Sequence, residues 1–295
     1  MSAGAGGPAF VDLHTHSTAS DGTLPPERVI EAAERCGITA LALTDHDTIA
    51  GVPAARDAAE RAGIRLISGV ELSAFDGDHE VHLLALHVVQ LDALERRLLG
   101  LRSMRHDRAV RIVEKLNALG LEIALEEVLQ QSAGGAVGRP HVARALMARG
   151  YVTDFRDAFA RYLGANGVAF VPKDRFSLED AISVAHEAGA LAIWAHPGDG
   201  GRRERLEPLV EAGLDGIEIR HPSHSSEDMK RLQALADFFG LVPSGGSDWH
   251  GASDGPRRLG MMNVPREWLE RQDERVAAVA TAATGSPSRE SGRTP

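Results

Sequence analysis

The stretch VDLHTHSTASDGTLPPERVIEAAERCGITALALTDHDTIAG, residues 11–51, decides how the rest of the chain is read. It opens on a short apolar run that stops at His14 and passes a Ser-Asp-Gly turn. PPERVIEAAERCG (25–37) follows, with a helix-forming interior between Pro and Gly. A second apolar run, ITALALTDH (38–46), comes at once. Strand, helix, glycine, strand is the unit of a parallel sheet, because parallel neighbours need a crossover that returns the chain to the same end.

Working outward, the runs IRLISGVEL (64–72), EVHLLALHV (80–88), ALAIWAH (190–196), DGIEIRH (215–221) and LVPSGGSDWH (241–250) repeat the pattern, with helical segments at 52–63, 177–189, 202–213 and 225–240. An α/β barrel of parallel strands is expected over residues 8–90 and 171–278. Strand signals vanish from 91 to 170, where LDALERRLLGLRSMRHDRAVRIVEKLNALG and shorter amphipathic patterns predict a helical insertion covering the active face. Residues 279–295 are polar and rich in Ser, Gly and Pro, and read as a disordered tail.

The chain has 295 residues, 42 acidic against 32 basic, a formal charge of −10 and 13 histidines. A chain this long buries about three-quarters of its unfolded surface, so it needs no disulfide or structural metal to fold. Its one cysteine, Cys36, excludes a disulfide framework, a thiolate zinc site and an iron–sulfur cluster. The acidic balance speaks against a broad grip on nucleic acid, although carboxylates that bind cations count as negative in that sum. No run approaches the ~18 apolar residues of a membrane span. The start, MSAGAGGPAF, lacks the regions of a signal peptide, so a cytoplasmic protein without membrane contact is expected.

Nearly every predicted strand ends in a side chain able to bind metal: His14 and His16, His46 between Asp45 and Asp47, Glu71, His82, His196, Glu218 and His221, then Asp248 and His250. Barrel strands converge their carboxyl ends on one face, where active sites are built. In His14-Thr15-His16 and Asp248-Trp249-His250 the period of two puts both donors on one side of a strand. Asp21 follows in a loop able to fold over them. One histidine at a strand end is ordinarily a capped or packed residue; the conjunction changes the reading, since each buried group would otherwise lose its hydration without a partner. Imidazole and carboxylate without thiolate suit manganese, iron or zinc, and these donors suffice for two or three ions.

With GVEL, VHLLAL, AHP and SGGSDWH in order after residues 11–51, the chain resembles the polymerase-and-histidinol-phosphatase (PHP) superfamily of metal-dependent phosphoesterases. The resemblance implies a distorted seven-stranded (β/α) TIM-like barrel. The insertion motif GRPHVARAL (138–146), FVPKDRFSLEDAI (170–182) and HPSHS (221–225) look like the branch acting on nucleoside 3′,5′-bisphosphates and on short RNA from its 5′ end. It further implies three ions, manganese first among the candidates: one on His14, His16, Glu71 and Asp248; one on Asp21, His46 and His250; one on Glu71, His82 and His196. A metal-activated hydroxide held by Glu71, Asp248 and His250 would attack phosphorus. His82, inside the apolar VHLLAL, is preferred to His79 in the turn FDGDH. Asp45, Asp47 and Glu218 are expected to orient imidazole N–H groups.

Substrate phosphate needs cations beyond the metals. Arg139, His141 and Arg144 are placed at a helix start, where backbone N–H groups also favour anions; Lys173, His221 and His224 are further candidates. The arginines of LERRLLGLRSMRHDRAVR read as a solvated face, and Phe155, Phe159 and Tyr162 as helix packing. The expected partner is a small phosphorylated nucleotide or short RNA, with no stable protein partner. Two other readings remain: a small-molecule phosphatase of the histidinol phosphate type, and a non-catalytic metal-binding or nucleic-acid-docking module. The first needs a carboxylate for an ammonium group and no second phosphate pocket.

Overall fold

Strands β1 (Phe10–Asp12), β2 (Ala40–Leu43), β3 (Arg65–Asp76), β4 (His79–Leu86), β5 (Leu191–Ala195), β6 (Gly216–Arg220) and β7 (Val242–Gly245) lie side by side in chain order. The computed structural model describes residues 10–132, 135–173, 175–252 and 257–284. The ring closes where the chain beyond β1 meets the chain at β7. Leu13 N–H donates to the Gly245 carbonyl (3.1 Å), Asp248 N–H to His14 (2.9 Å) and His16 N–H to Trp249 (2.9 Å). An eighth strand, β8 (Val264–Pro265), pairs antiparallel with the first residues of β1. The result is a TIM-like barrel.

Among the seven expected strands one departs from the all-parallel pattern: β4 runs antiparallel to both β3 and β5. The cause is local. Only Gly77 and Asp78 separate β3 from β4, and two residues can make a hairpin but not a crossover. His82 therefore reaches the active face from near the beginning of its strand, opposite Ser73 and Ala195.

Helices α1 (Pro26–Arg35) and α2 (Val52–Ala62) follow β1 and β2, and α3 (Leu91–Ala118), α4 (Leu125–Gln131), α5 (Arg139–Ala148) and α6 (Phe155–Ala158) occupy the segment expected to be helical. A π-helical turn, Phe159–Leu163, continues α6 directly. Then come α7 (Leu178–Glu187), α8 (Arg203–Glu211), α9 (Ser226–Phe239) and α10 (Arg266–Thr284). Ser177 and Ser225 cap α7 and α9, each accepting the backbone N–H three residues on. α10 continues to Thr284, into the stretch expected as tail; residues 285–295 lie outside the described residues.

One face of β4 reads His82, Leu84, Leu86, and its two leucines pack in the barrel with Ile67, Leu191 and Ile193, under which Leu269 of α10 closes the floor. Leu72, Leu83, Trp194 and Ile217 point outward beneath the flanking helices. Ile112, Leu116, Val128, Leu146 and Leu163 form a separate core in the inserted helices. The 28-residue α3 belongs to both, with Leu94, Leu98 and Leu101 in the outer barrel cluster and Ile112 and Leu116 in the insertion. Among the described residues no helix is long and apolar enough to cross a membrane.

The same substitution should act oppositely at two glycines. A Cβ on Gly246 would stand 2.5 Å from both Cβ and N of His14, so Gly246→Ala should cost about 1–3 kcal/mol in urea unfolding. Gly100, inside α3 with nothing within 4 Å of an added Cβ, should gain about 0.5–1 kcal/mol on mutation to Ala.

Candidate metal centre and its cleft

Glu71 stands at the middle of the active face, 1% exposed. Its Oε2 lies 3.2 Å from His14 Nε2, His16 Nε2 and His46 Nδ1, and its Oε1 lies 2.6 Å from His82 Nδ1 and 3.0 Å from His196 Nε2. Asp248 Oδ1 adds a second carboxylate, 3.1 Å from His16 and 3.5 Å from His14. Asp21 faces His250 at 3.2 Å and His46 at 3.9 Å. The nine residues singled out as metal donors thus converge in one place, and His79, the first residue of β4, stays exposed. His196 and Asp248 both have left-handed backbone, φ 29° and 49°, a conformation that non-glycine residues hold at a cost of about 1–3 kcal/mol and that clusters at functional sites.

His14 Nε2, both ring nitrogens of His16, His46 Nδ1 and Glu71 Oε2 are buried without a hydrogen-bond partner. Orphaned donors and acceptors crowded this closely fit divalent cations: His14, His16, Glu71 and Asp248 offer ligand atoms within 4.8 Å of one another, as do His16, Asp21, His46 and His250, and His46, Glu71 and His82. Glu218 accepts from His14 Nδ1 (3.1 Å) and from His196 N–H (2.8 Å), which aims Nε2 of His14 at Glu71.

The charges are strongly coupled. Burial alone would strip protons from the imidazoles, yet Glu218, Glu71 and Asp248 carry His14 well above the usual value, and Asp248 and Glu71 carry His16 to about 10. His82 rises to about 9 through Glu71, also against burial, whereas burial prevails at His46 and lowers it to about 3. Glu71 and Asp248, which burial would raise, are held well below the carboxylate range by the surrounding imidazoles.

Asp45 and Asp47 do different work from the expected one. Asp45 accepts from Ser17 N–H, Ser17 Oγ and Ser20 Oγ, each at 2.7 Å, and so folds the loop that carries Asp21. Asp47 binds Ser73 N–H and Arg105 Nε. Neither touches an imidazole through these bonds; Glu218 does.

The insertion grips the Asp21 loop from outside. Ala136 N–H donates to the Ala19 carbonyl (2.9 Å), His141 Nε2 to that of Ser20 (2.9 Å) and Arg144 to that of Asp21 (2.6 Å). His141 Nδ1 also accepts from Gly138 N–H, so both its ring nitrogens are engaged in protein contacts. Arg139 separates from this pair and lines a cleft of about 160 Å³ that runs from Asp21, His46 and His82 under the insertion. Lys173 lines it too, its Nζ 2.7 Å from Glu80. His221 lies behind the cluster against Asp248 (3.2 Å), and His224 spends both nitrogens on Ile219 O and Gly198 N.

Two cleft residues escaped the sequence reading. Arg105 and Arg108 belong to the buried face of α3, in the series Leu101, Arg105, Arg108, Ile112, Leu116, and not to a solvated face. An arginine interrupting an apolar stripe was the available signal. Arg108 is 7% exposed, donates Nε to Val171 O (2.8 Å), and leaves Nη2 buried and unpartnered. Burial and the nearby Arg139 lower it to about 10. Arg257, also unanticipated, pairs with Asp248.

Comparison with known proteins agrees with this geometry. A 3′,5′-nucleoside bisphosphate phosphatase of Chromobacterium violaceum is 38% identical over 260 residues, 85% of this chain and 91% of that protein. A phosphoribosyl 1,2-cyclic phosphate 1,2-diphosphodiesterase of Eggerthella lenta is 37% identical, covering 81% and 94%. The 5′-3′ exoribonuclease Rnm of Escherichia coli is 36% identical, covering 81% and 84%. A structure from Bifidobacterium adolescentis described as a metal-dependent phosphoesterase superposes with a TM-score of 0.84 at 33% identity, covering 91% of this chain and 98% of that one. Residues 12–181 match the PHP domain, and the chain belongs to that family.

Proposed function

We propose that the chain is a metal-dependent phosphohydrolase that removes phosphate from nucleoside 3′,5′-bisphosphates and trims short 5′-phosphorylated RNA, in the cytoplasm. The observation that carries the substrate is the unpartnered, buried guanidinium nitrogen of Arg108 in the cleft beside the cluster, with Arg139 and Lys173 near it. A buried cation with free hydrogen-bonding capacity is costly unless an anion arrives to use it. One phosphate at the cluster and a second at these cations make a bisphosphate. An ammonium-bearing substrate of the histidinol phosphate type would meet Arg105, Arg108, Arg139 and Lys173 there, and the one cleft carboxylate near them, Glu80, is already paired with Lys173.

His14, His16, Glu71 and Asp248 would hold one ion, Asp21, His46 and His250 a second, and His82, His196 and Glu71 a third; the mixed set suits manganese, iron or zinc, and manganese is the metal proposed. Bound there, divalent ions supply charge for the phosphoryl oxygens and make water nucleophilic near neutral pH. The protein does the rest. Glu218 fixes the tautomer of His14, Arg257 and His221 hold Asp248, and the clamp on residues 19–21 places Asp21. Arg108 and Arg139 draw the remote phosphate in, so the reacting phosphorus is positioned by binding energy made elsewhere.

Glu71→Ala and Asp248→Ala should abolish turnover while circular dichroism stays native. Chelation should do the same reversibly, with manganese restoring activity. Because His14 and His16 carry protons in the cation-free cluster and must lose them to ligate, loading should release protons and tighten as pH rises. Calorimetry in two buffers of different ionisation enthalpy reads this directly.

Arg108→Ala should lower kcat/KM on adenosine 3′,5′-bisphosphate by about ten- to a hundredfold, the worth of a charge-assisted contact, and far less on 3′- or 5′-AMP. Arg144→Ala, acting through the Asp21 loop, should slow all three alike. Equal losses in Arg108→Ala would remove the second phosphate site.

A further inference from the structure

The cleft has two unlike halves. Beside the metal donors it is charged; on the side of the insertion its lining includes Ala109, Ile112, Val137, Pro140 and Phe159. A phosphate has no use for an apolar lining. We infer that Phe159 is the platform on which the nucleobase of the substrate lies, an inference that rests on the reading of the substrate as a nucleotide.

Three observations converge on Phe159. Of the aromatic series Phe155, Phe159 and Tyr162, it alone lines the cleft: Phe155 is 40% exposed and Tyr162 is buried in the core of the insertion. At Phe159 the chain leaves the α-helix for a π turn, closed by Gly164 N–H to the Phe159 carbonyl at 2.8 Å, a distortion frequent at functional sites. The Arg139 guanidinium stands over the ring, 5.6 Å from its centroid. Ring and guanidinium each offer a polarisable face suited to any base. The same arginine borders the charged half, which it shares with Arg108, Lys173 and Glu80. One side chain thus spans a phosphate subsite and a base subsite, which are neighbours in a nucleotide.

The test compares kcat/KM on adenosine 3′,5′-bisphosphate with kcat/KM on its abasic counterpart, in which a tetrahydrofuran ring replaces the nucleoside. Manganese-loaded wild type, Phe159→Ala, Phe159→Leu and Phe159→Trp are assayed. The nucleotide-to-abasic ratio should fall about tenfold in the Ala and Leu variants, as 1.4 kcal/mol of lost stacking converts, and should hold in the Trp variant. Leucine keeps the bulk that the insertion packs against, so the comparison survives if the alanine variant misfolds. A ratio unchanged in the leucine variant, with wild type active on the bisphosphate, overturns the platform and leaves the substrate reading standing. A wild-type enzyme that turns over no bisphosphate overturns both.

Discussion

A single buried carboxylate shared by five imidazoles governs this molecule. Glu71 cannot be both charged and dry without cations around it, and the fold brings side chains from four other segments to within about 3 Å of its two oxygens. The barrel makes that possible because residues of one strand face recur every second position, so the wall that packs Leu84 and Leu86 below presents His82 above. Stability and chemistry occupy successive layers of one surface, apolar at the floor and ionic at the rim.

The helical insertion completes the rim. It adds cations the barrel lacks and fixes the loop that brings Asp21 to the cluster. α3 does this as a beam about 42 Å long, at 1.5 Å per residue, with one end in the barrel's outer core and the other in the insertion's own. Arg105 ties that beam to Asp47, next to His46, so the cationic wall and the metal donors are indexed to each other by a direct ion pair.

Much of this was legible in the sequence, because metal donors at strand ends combine two strong signals, hydrophobic periodicity and donor chemistry. The direction of β4 was not taken from that rhythm, although FDGDH held the answer: a turn that short forbids a crossover. The substrate side was harder to read. Helical spacing puts His141 and Arg144 on one face, but spacing does not say what that face meets, and it meets main-chain carbonyls. Arg108 lay hidden in a run of arginines, since the surface that turns it inward is made by segments far away in sequence, among them Val171.

The clamp on the Asp21 loop has an evolutionary consequence. Its three bonds all end on carbonyl oxygens, those of Ala19, Ser20 and Asp21, which every amino acid possesses. The loop can therefore drift at position 19 without loosening the grip. The insertion has no such latitude: a Cβ at Gly135 would come within 2.3 Å of the Ala19 carbonyl oxygen, and His141 and Arg144 supply the donors themselves. Selection on the placement of one metal-binding aspartate is thereby displaced onto residues more than a hundred positions away, where a change would look unrelated to catalysis.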